Sequence, residues 1–377
     1  MKKPLGIYVH IPFCATRCGY CDFLTFACGS SKYEPYTKAL IREIESVNLD
    51  EYEINTIFIG GGTPTVLLPS QIERILNALK KYKFSKNIEI TIEANPGTLN
   101  LEMLRVLEKC SVNRISMGLQ STHHRILKRI NRSHTFGDFL KNYKNIRNFG
   151  INTNVDLMFS LPGFRNFKEA FKSWVETLQI VSSLSPEHIS LYSLIIEEGT
   201  PFFTQYEKGL LVEVPEEYDR RMYHFAQSFL AKKGYIHYEI SNFSKKGYEC
   251  RHNTMYWKCG EYKGFGLGSH SYFKGKRFNN VKDLDAYINS DTISHENIID
   301  ISQKDQIEEF MFLGLRLLEG INIDEFKEKF KVDIIEVYGK VIDENIKSGL
   351  LKKENNNISL TKTGLDISNR VMSDFLI

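Results

Sequence analysis

Three cysteines, Cys14, Cys18 and Cys21, stand within one eight-residue stretch, directly after an apolar run at residues 5–13. Cysteine thiolates hold iron–sulfur clusters, which usually take four of them. Three on one loop leave one iron of a four-iron cluster without a protein ligand and open to another donor. The competing reading is zinc, with Cys28 or His10 as the fourth ligand. Structural zinc favours paired spacings, and Cys-x3-Cys-x2-Cys is not one of them. Cys110, Cys250 and Cys259 stand apart and are expected to pack as small apolar residues.

Other residues have types suited to holding a small ligand beside such a cluster. Gly60, Gly61 and Gly62, followed by Thr63, let backbone amides and carbonyls approach a ligand closely. Tyr20 sits between two cluster cysteines, where its ring can pack on an adenine. Glu93 and Asp156 interrupt apolar runs, where a carboxylate is costly unless it meets a cation or hydroxyls. Gln120 and Arg132 add polar groups, although the Lys128–Arg132 run also fits a solvated basic face. Further on, His252, Asn253, Tyr256 and Trp257 form a compact aromatic motif. A histidine can ligate a haem iron, and flat rings offer apolar surface to a macrocycle. The glycine-rich run 264–270 ends in His270, a second candidate ligand. An aromatic minicore capped by hydrogen-bonded Asn and His explains the same motif without a ligand.

The elements that position these residues follow from hydrophobic periodicity. Short β-branched runs at 6–10, 55–59, 88–93, 114–117, 152–158 and 188–193 alternate with helical patterns at 33–47, 69–82, 101–108, 136–148 and 167–181. Such alternation predicts parallel strands with crossover helices, here a partial (β/α)6 barrel of the TIM type over residues 1–200. Sites in such folds lie beyond the carboxyl ends of the strands, and the unusual residues above fall there. Residues 201–300 are expected to form an α+β extension carrying the 252–257 motif, with a helix at 215–233, a strand at 235–243 and a polar linker at 291–300. Residues 301–377 are expected to be a C-terminal winged-helix-like domain: helix from 302 to 320, then helix, helix and hairpin.

Composition narrows the function classes. The 377 residues are 42% apolar and 25% charged with a net charge of +3, which gives no general case for a nucleic-acid partner. Charges of both signs on the predicted 334–348 helix suit a lid or docking element better than a DNA-reading face. No apolar run reaches the length of a membrane span or signal peptide, so a cytoplasmic protein is expected. Clustered thiols in a reducing compartment favour metal ligation over disulfides.

The cysteine loop followed by the glycine motif resembles the signature of the radical S-adenosylmethionine superfamily. The resemblance implies a [4Fe-4S] cluster on Cys14, Cys18 and Cys21, its open iron chelated by the methionine end of S-adenosylmethionine, and an electron donor for the cluster. Tyr8 to Cys14, Gly60 to Thr65 and Ser116 to Gln120 look like the subgroup containing oxygen-independent coproporphyrinogen III dehydrogenase, which oxidatively decarboxylates propionate side chains. That subgroup implies cofactor contacts at Tyr8, Gly61, Gly62, Thr63, Glu93, Gln120, Arg132 and Asp156. Two departures point to a different branch. Phe23 stands where the dehydrogenase has a fourth cysteine, and His252-Asn253-Thr254-Met255-Tyr256-Trp257 is similar to the motif of HemW-type haem chaperones. That branch implies haem as ligand, delivery to an acceptor apoprotein such as a respiratory-chain haemoprotein, and at most a transient membrane association through the acceptor. The alternative is the decarboxylating enzyme itself, against which the missing cysteine weighs. No catalytic residue is singled out.

Overall fold

The computed structural model describes residues 2–292 and 294–376. Six strands run parallel in sequence order: β1 (Lys3–Ile11), β2 (Tyr52–Gly61), β3 (Phe84–Ala94), β4 (Arg114–Gln120), β5 (Asn152–Phe159) and β6 (His188–Ser193). Each crossover carries at least one helix, and several helices start at side-chain caps. Asn100, Thr135 and Asn166 accept from the amides of Met103, Asp138 and Glu169, satisfying donors that a helix N-terminus leaves free. The outward strand faces and the helices share one apolar core that includes Ile57, Ile59, Ile92, Ile115 and Val155. Side chains from all six strands border one central cavity, so the sheet curves round it as a partial barrel.

The lumen differs from an ordinary barrel interior, which is filled by branched aliphatics. In register across β3–β6, Glu93, Ser116, Asn154 and His188 form one layer; Gly118, Asp156 and Ser190 form the next. The inner face is therefore polar in successive layers and suits a bound polar ligand better than a packed core.

Both sheet edges are extended. β7 (Ile236–Glu239) and β8 (Asn242–Ser244) join beyond β6. The single strand expected at 235–243 is thus a hairpin, because the Glu239 carboxylate takes the Ser241 amide and the Asn242 side chain at the turn. At the other edge β9 (Tyr262–Phe265) runs parallel to β1, followed by antiparallel β10 (His270–Phe273), β11 (Lys276–Asn280) and β12 (His295–Asp300). Part of the expected 291–300 linker is therefore a strand; Ile293 lies outside the described residues. Every residue of β12 is exposed, so no buried alternation marks it in the sequence.

The expected 302–320 helix ends at Gly314. There the Arg316 carbonyl and the Leu318 amide turn aside to bond the Ile240 amide and the Tyr238 carbonyl. Beyond it, helices Ile323–Phe330 and Ile334–Lys347 pack on an antiparallel sheet of β13 (Ile321–Asn322), β15 (Asn357–Leu360) and β14 (Leu351–Glu354). This winged-helix-like unit has a second core around Phe326, Tyr338 and Phe375. Among the described residues no helix is long and apolar enough to cross a membrane.

Glu43, on the Tyr33–Ser46 helix, ties the β9–β11 edge to the barrel. Its buried carboxylate accepts from the Gly266 amide (2.9 Å), Asn280 (2.8 Å) and the Tyr287 hydroxyl (2.6 Å). Glu43→Ala orphans these buried donors, each costing about 1–3 kcal/mol. We expect a loss of about 3 kcal/mol or more in denaturant unfolding, against no more than about 0.5 kcal/mol for Glu45→Ala on the exposed face of the same helix.

Candidate functional site

The cysteine loop leaves β1 at Ile11 and is pinned on three sides. The Gly62 and Thr63 amides donate to the Ile11 and Phe13 carbonyls at 2.8 and 2.7 Å, and the Cys14 amide donates to Phe26 at 3.1 Å. Gly19 lies against the Phe202 ring, and its carbonyl takes the Phe202 amide at 2.9 Å. A Cβ on Gly62 would sit 2.5 Å from the Phe13 carbonyl oxygen, and Gly61 has φ +109°, which explains why glycine stands at both places.

The loop presents Cys14, Cys18 and Cys21 to a cavity of about 530 Å³ at the carboxyl ends of the strands. All three are free thiols and half-buried. Burial pushes the Cys14 and Cys21 thiols up; Cys14 is raised further by Cys21 and Cys18, and Cys21 by Cys18. The three are thus close enough to repel as thiolates, a charge that bound iron would neutralise. His10 is occupied elsewhere: its ring bonds the Tyr8 hydroxyl at 2.9 Å and the Leu24 carbonyl at 3.0 Å.

One hydrogen-bond chain joins two of the cysteines across the cavity. The Cys14 sulfur lies 3.6 Å from the Thr63 hydroxyl, to which Asn95 donates at 2.6 Å. The Asn95 oxygen accepts from Arg132 Nη2 at 2.6 Å, and Arg132 Nη1 donates to the Cys18 sulfur at 3.3 Å. Arg132 also bonds the Gly118 carbonyl. It is therefore a fixed member of the site and not part of a solvated basic face. Its Nε and the Gln120 Oε1 are buried with no partner among the described residues, two polar atoms left for a ligand. Gln120 has φ +67° at a bulge in β4, a strained conformation of the kind that clusters at binding sites.

Glu93 and Asp156 stand on neighbouring inward layers. Asp156 accepts from Ser116 (3.1 Å) and Asn154 (2.7 Å), and Glu93 accepts from the Gly61 amide at 3.0 Å. Burial, with the Asp156 charge second, pushes the Glu93 carboxyl up from 4.5 to about 7. A cationic ligand would release that strain. Tyr8, Tyr20, Gly61, Gly62 and Thr63 border the same cavity.

The 252–257 motif is a short helix, Arg251–Trp257, held at its start by Glu89, which accepts the Arg251 and His252 amides at 3.0 Å. His252 is buried. It stacks on Phe58 and bonds Thr56 at 2.8 Å and the Tyr256 hydroxyl at 2.7 Å. Burial pushes its pKa down to about 3, so it is neutral, with both nitrogens engaged and neither presented to a metal. Asn253 and Tyr256 border the cysteine cavity, whereas Trp257 faces a second cleft of about 940 Å³ that also reaches Tyr256. The Trp257 Nε1 is buried with no partner among the described residues.

Sequence reasoning missed Asn95 as a site residue, along with Ser116, Asn154, His188 and Ser190 beneath Asp156. The signal was a period-two polar alternation, Asn154 then Asp156 and His188 then Ser190, on strands expected to be apolar on both faces.

Three cysteines facing a polar cavity at the mouth of a six-stranded partial barrel define a radical S-adenosylmethionine fold. Residues 8–172 match the radical SAM superfamily, and residues 301–367 match the HemN C-terminal domain. Coproporphyrinogen III oxidase (HemN) from Escherichia coli shares the fold with a TM-score of 0.84 at 21% identity, covering 99% of this chain and 90% of that one. Two relatives are closer in sequence. The heme chaperone HemW of Lactococcus lactis subsp. lactis is 38% identical over 100% of this chain and 98% of its own. That of Bacillus subtilis is 35% identical over 98% of each. The chain belongs to the HemW family.

The Glu93 environment sets a pH dependence. Between pH 4.5 and about 7 the folded state holds a proton at Glu93 that the unfolded chain has released. Its contribution to stability therefore falls as pH rises through that window. Urea unfolding of wild type and Glu93→Gln should give a stability difference that moves against wild type from pH 4.5 to 7; a flat difference would show that Glu93 is not held protonated.

Proposed function

We propose that this protein is a haem chaperone: it binds haem and hands it to an acceptor apoprotein, while its radical-SAM core carries a [4Fe-4S] cluster and S-adenosylmethionine. The observation that carries the reading is the pairing of two cavities across one helix. Asn253 and Tyr256 border the cavity that holds the three cysteines, and Trp257 borders a larger aromatic cleft.

Cys14, Cys18 and Cys21 would hold three irons of the cluster. The unpartnered Gln120 and Arg132 atoms, the Gly61–Thr63 backbone and the Glu93 and Asp156 carboxylates suit a ligand with a carboxylate, an ammonium, a sulfonium and ribose hydroxyls. Tyr8 and Tyr20 would pack beside it. When bound, the cluster and S-adenosylmethionine supply one-electron chemistry. The residues of this chain fix the ligand's orientation and raise the Glu93 carboxyl well above its usual range until a cation arrives.

Support for haem comes from membership of a family whose relatives are named heme chaperones and from the aromatic cleft. The acceptor is a haemoprotein, such as one of the respiratory chain, met by transient approach to its membrane. Residues 1–200 carry the cluster, and residues 201–300 supply the motif helix and the edge sheet that border the haem cleft. Residues 301–377 act as a lid or docking element with no nucleic-acid role. We place the protein in the cytoplasm, served there by a cellular electron donor.

The test is anaerobic reconstitution followed by haem titration, on wild type and on a Cys14/Cys18/Cys21→Ala triple variant. Wild type should bind about four irons and shift the haem Soret band. The triple variant should lose the cluster iron and sulfide while keeping haem affinity within about tenfold. A wild type that leaves the Soret band of stoichiometric haem unmoved contradicts the reading.

A further inference from the structure

The second cleft contains a free imidazole that the 252–257 motif does not supply. On the edge sheet, Tyr272 pairs with Tyr262 on β9 and with Arg277 on β11. These three residues and His270 border the cleft, while Ser271 between them is buried. Alternation along β10 thus puts His270 and Tyr272 on the cleft side. The His270 side chain is exposed, and no described residue hydrogen-bonds its ring, in contrast to His252 with both nitrogens engaged. Trp257, Tyr256, Leu313 and the exposed Phe23 add apolar surface to the same cleft.

The charges around the cleft divide in two. Arg277 is committed, its guanidinium paired with both Glu309 oxygens at 2.8 Å. Lys282 has no acidic partner among the described residues, and its stem packs beside Gly268, two residues from His270. Among the described residues the Arg17 side chain donates only to the Cys21 carbonyl, at 3.0 Å. Asp22 and Glu93 also border the cleft, but among the described residues no ion pair joins either to Arg17 or Lys282. Two cations with no ion-pair partner among the described residues, an imidazole free of hydrogen bonds among them, and aromatic surface border about 940 Å³, within the range of small-molecule sites. The complementary ligand is a flat macrocycle with two carboxylates and a metal that accepts an imidazole.

We propose that haem binds in this cleft with His270 as its axial ligand and with Arg17 and Lys282 receiving the propionates. The assignment rests on the reading of the chain as a haem binder and moves the iron ligand from the 252–257 motif to the edge sheet. His252 then has a structural part: it braces the Arg251–Trp257 helix against β2 so that Trp257 faces the macrocycle.

The experiment is ferric haem titration of the full-length, cluster-reconstituted protein, followed by Soret difference spectra, on wild type, His270→Gly, Cys259→Ser and the Arg17→Gln/Lys282→Gln pair. His270 is exposed, so its replacement leaves the fold intact. His270→Gly should lose the wild-type Soret maximum and bind about tenfold or more weakly, and added imidazole should restore the maximum. Cys259→Ser, which changes the thiol in the same cleft, should leave the maximum in place. The double variant should bind haem roughly fivefold or more weakly but haem dimethyl ester as wild type does. Wild-type maximum and affinity in His270→Gly, or a lost maximum in Cys259→Ser, would overturn the axial assignment. Equal weakening for haem and its diester, or none for haem, would overturn the propionate assignment. A wild type that binds no haem would instead remove the chaperone reading, and this proposal with it.

Discussion

The site depends on one guanidinium. Arg132 bonds the Cys18 sulfur, the Asn95 oxygen and the Gly118 carbonyl; Asn95 reaches Thr63, and Thr63 reaches Cys14. A cation inside a protein is tolerated only when such partners repay its desolvation. The partners here come from the cysteine loop, the glycine motif, the end of β3 and the bulge of β4. The barrel strands must therefore end in register for the loop to be held, and the loop must be in place for Arg132 to be satisfied. The barrel rim and the cysteine loop thus support each other, because each supplies what the other needs to bury polar groups.

The same logic makes the lumen polar. Glu93, Ser116, Asn154 and His188 lie side by side in one layer, with hydrogen bonds running from Asp156 through Asn154 to His188 and Tyr238. These contacts fix the carboxylates before any ligand arrives, so little ordering is left to be done on binding. Tyr8, Gly61, Glu93 and Tyr256 border both cavities. The cluster pocket and the aromatic cleft therefore share a wall, and a ligand in one meets residues that also line the other.

Much of this was legible in the sequence. The six strands and their helices follow from periodicity, and the strand ends carry the glycine, glutamate and glutamine residues that border the cavity. Arg132 was ambiguous because a basic run looks alike on a solvated face and at a barrel mouth; only the third dimension brings Cys18 and Asn95 to it. Asn95 follows β3 directly before Pro96, and nothing in its spacing shows that it reaches Thr63 and Arg132. β12 was missed because an exposed edge strand buries no alternate residues. The His252 motif could be read as a ligand or as a brace, and the choice turns on where Thr56 and Tyr256 lie, which the spacing of the motif does not encode.

With the two sites as proposed, an open iron beside Cys14, Cys18 and Cys21 takes S-adenosylmethionine in the barrel while haem occupies a second cleft across the shared wall. Electron paramagnetic resonance of the reduced, reconstituted protein tests both halves at once. S-adenosylmethionine should change the cluster signal, and one equivalent of haem added afterwards should leave that changed signal in place. A cluster signal indifferent to S-adenosylmethionine, or haem returning it to its ligand-free form, would contradict the account.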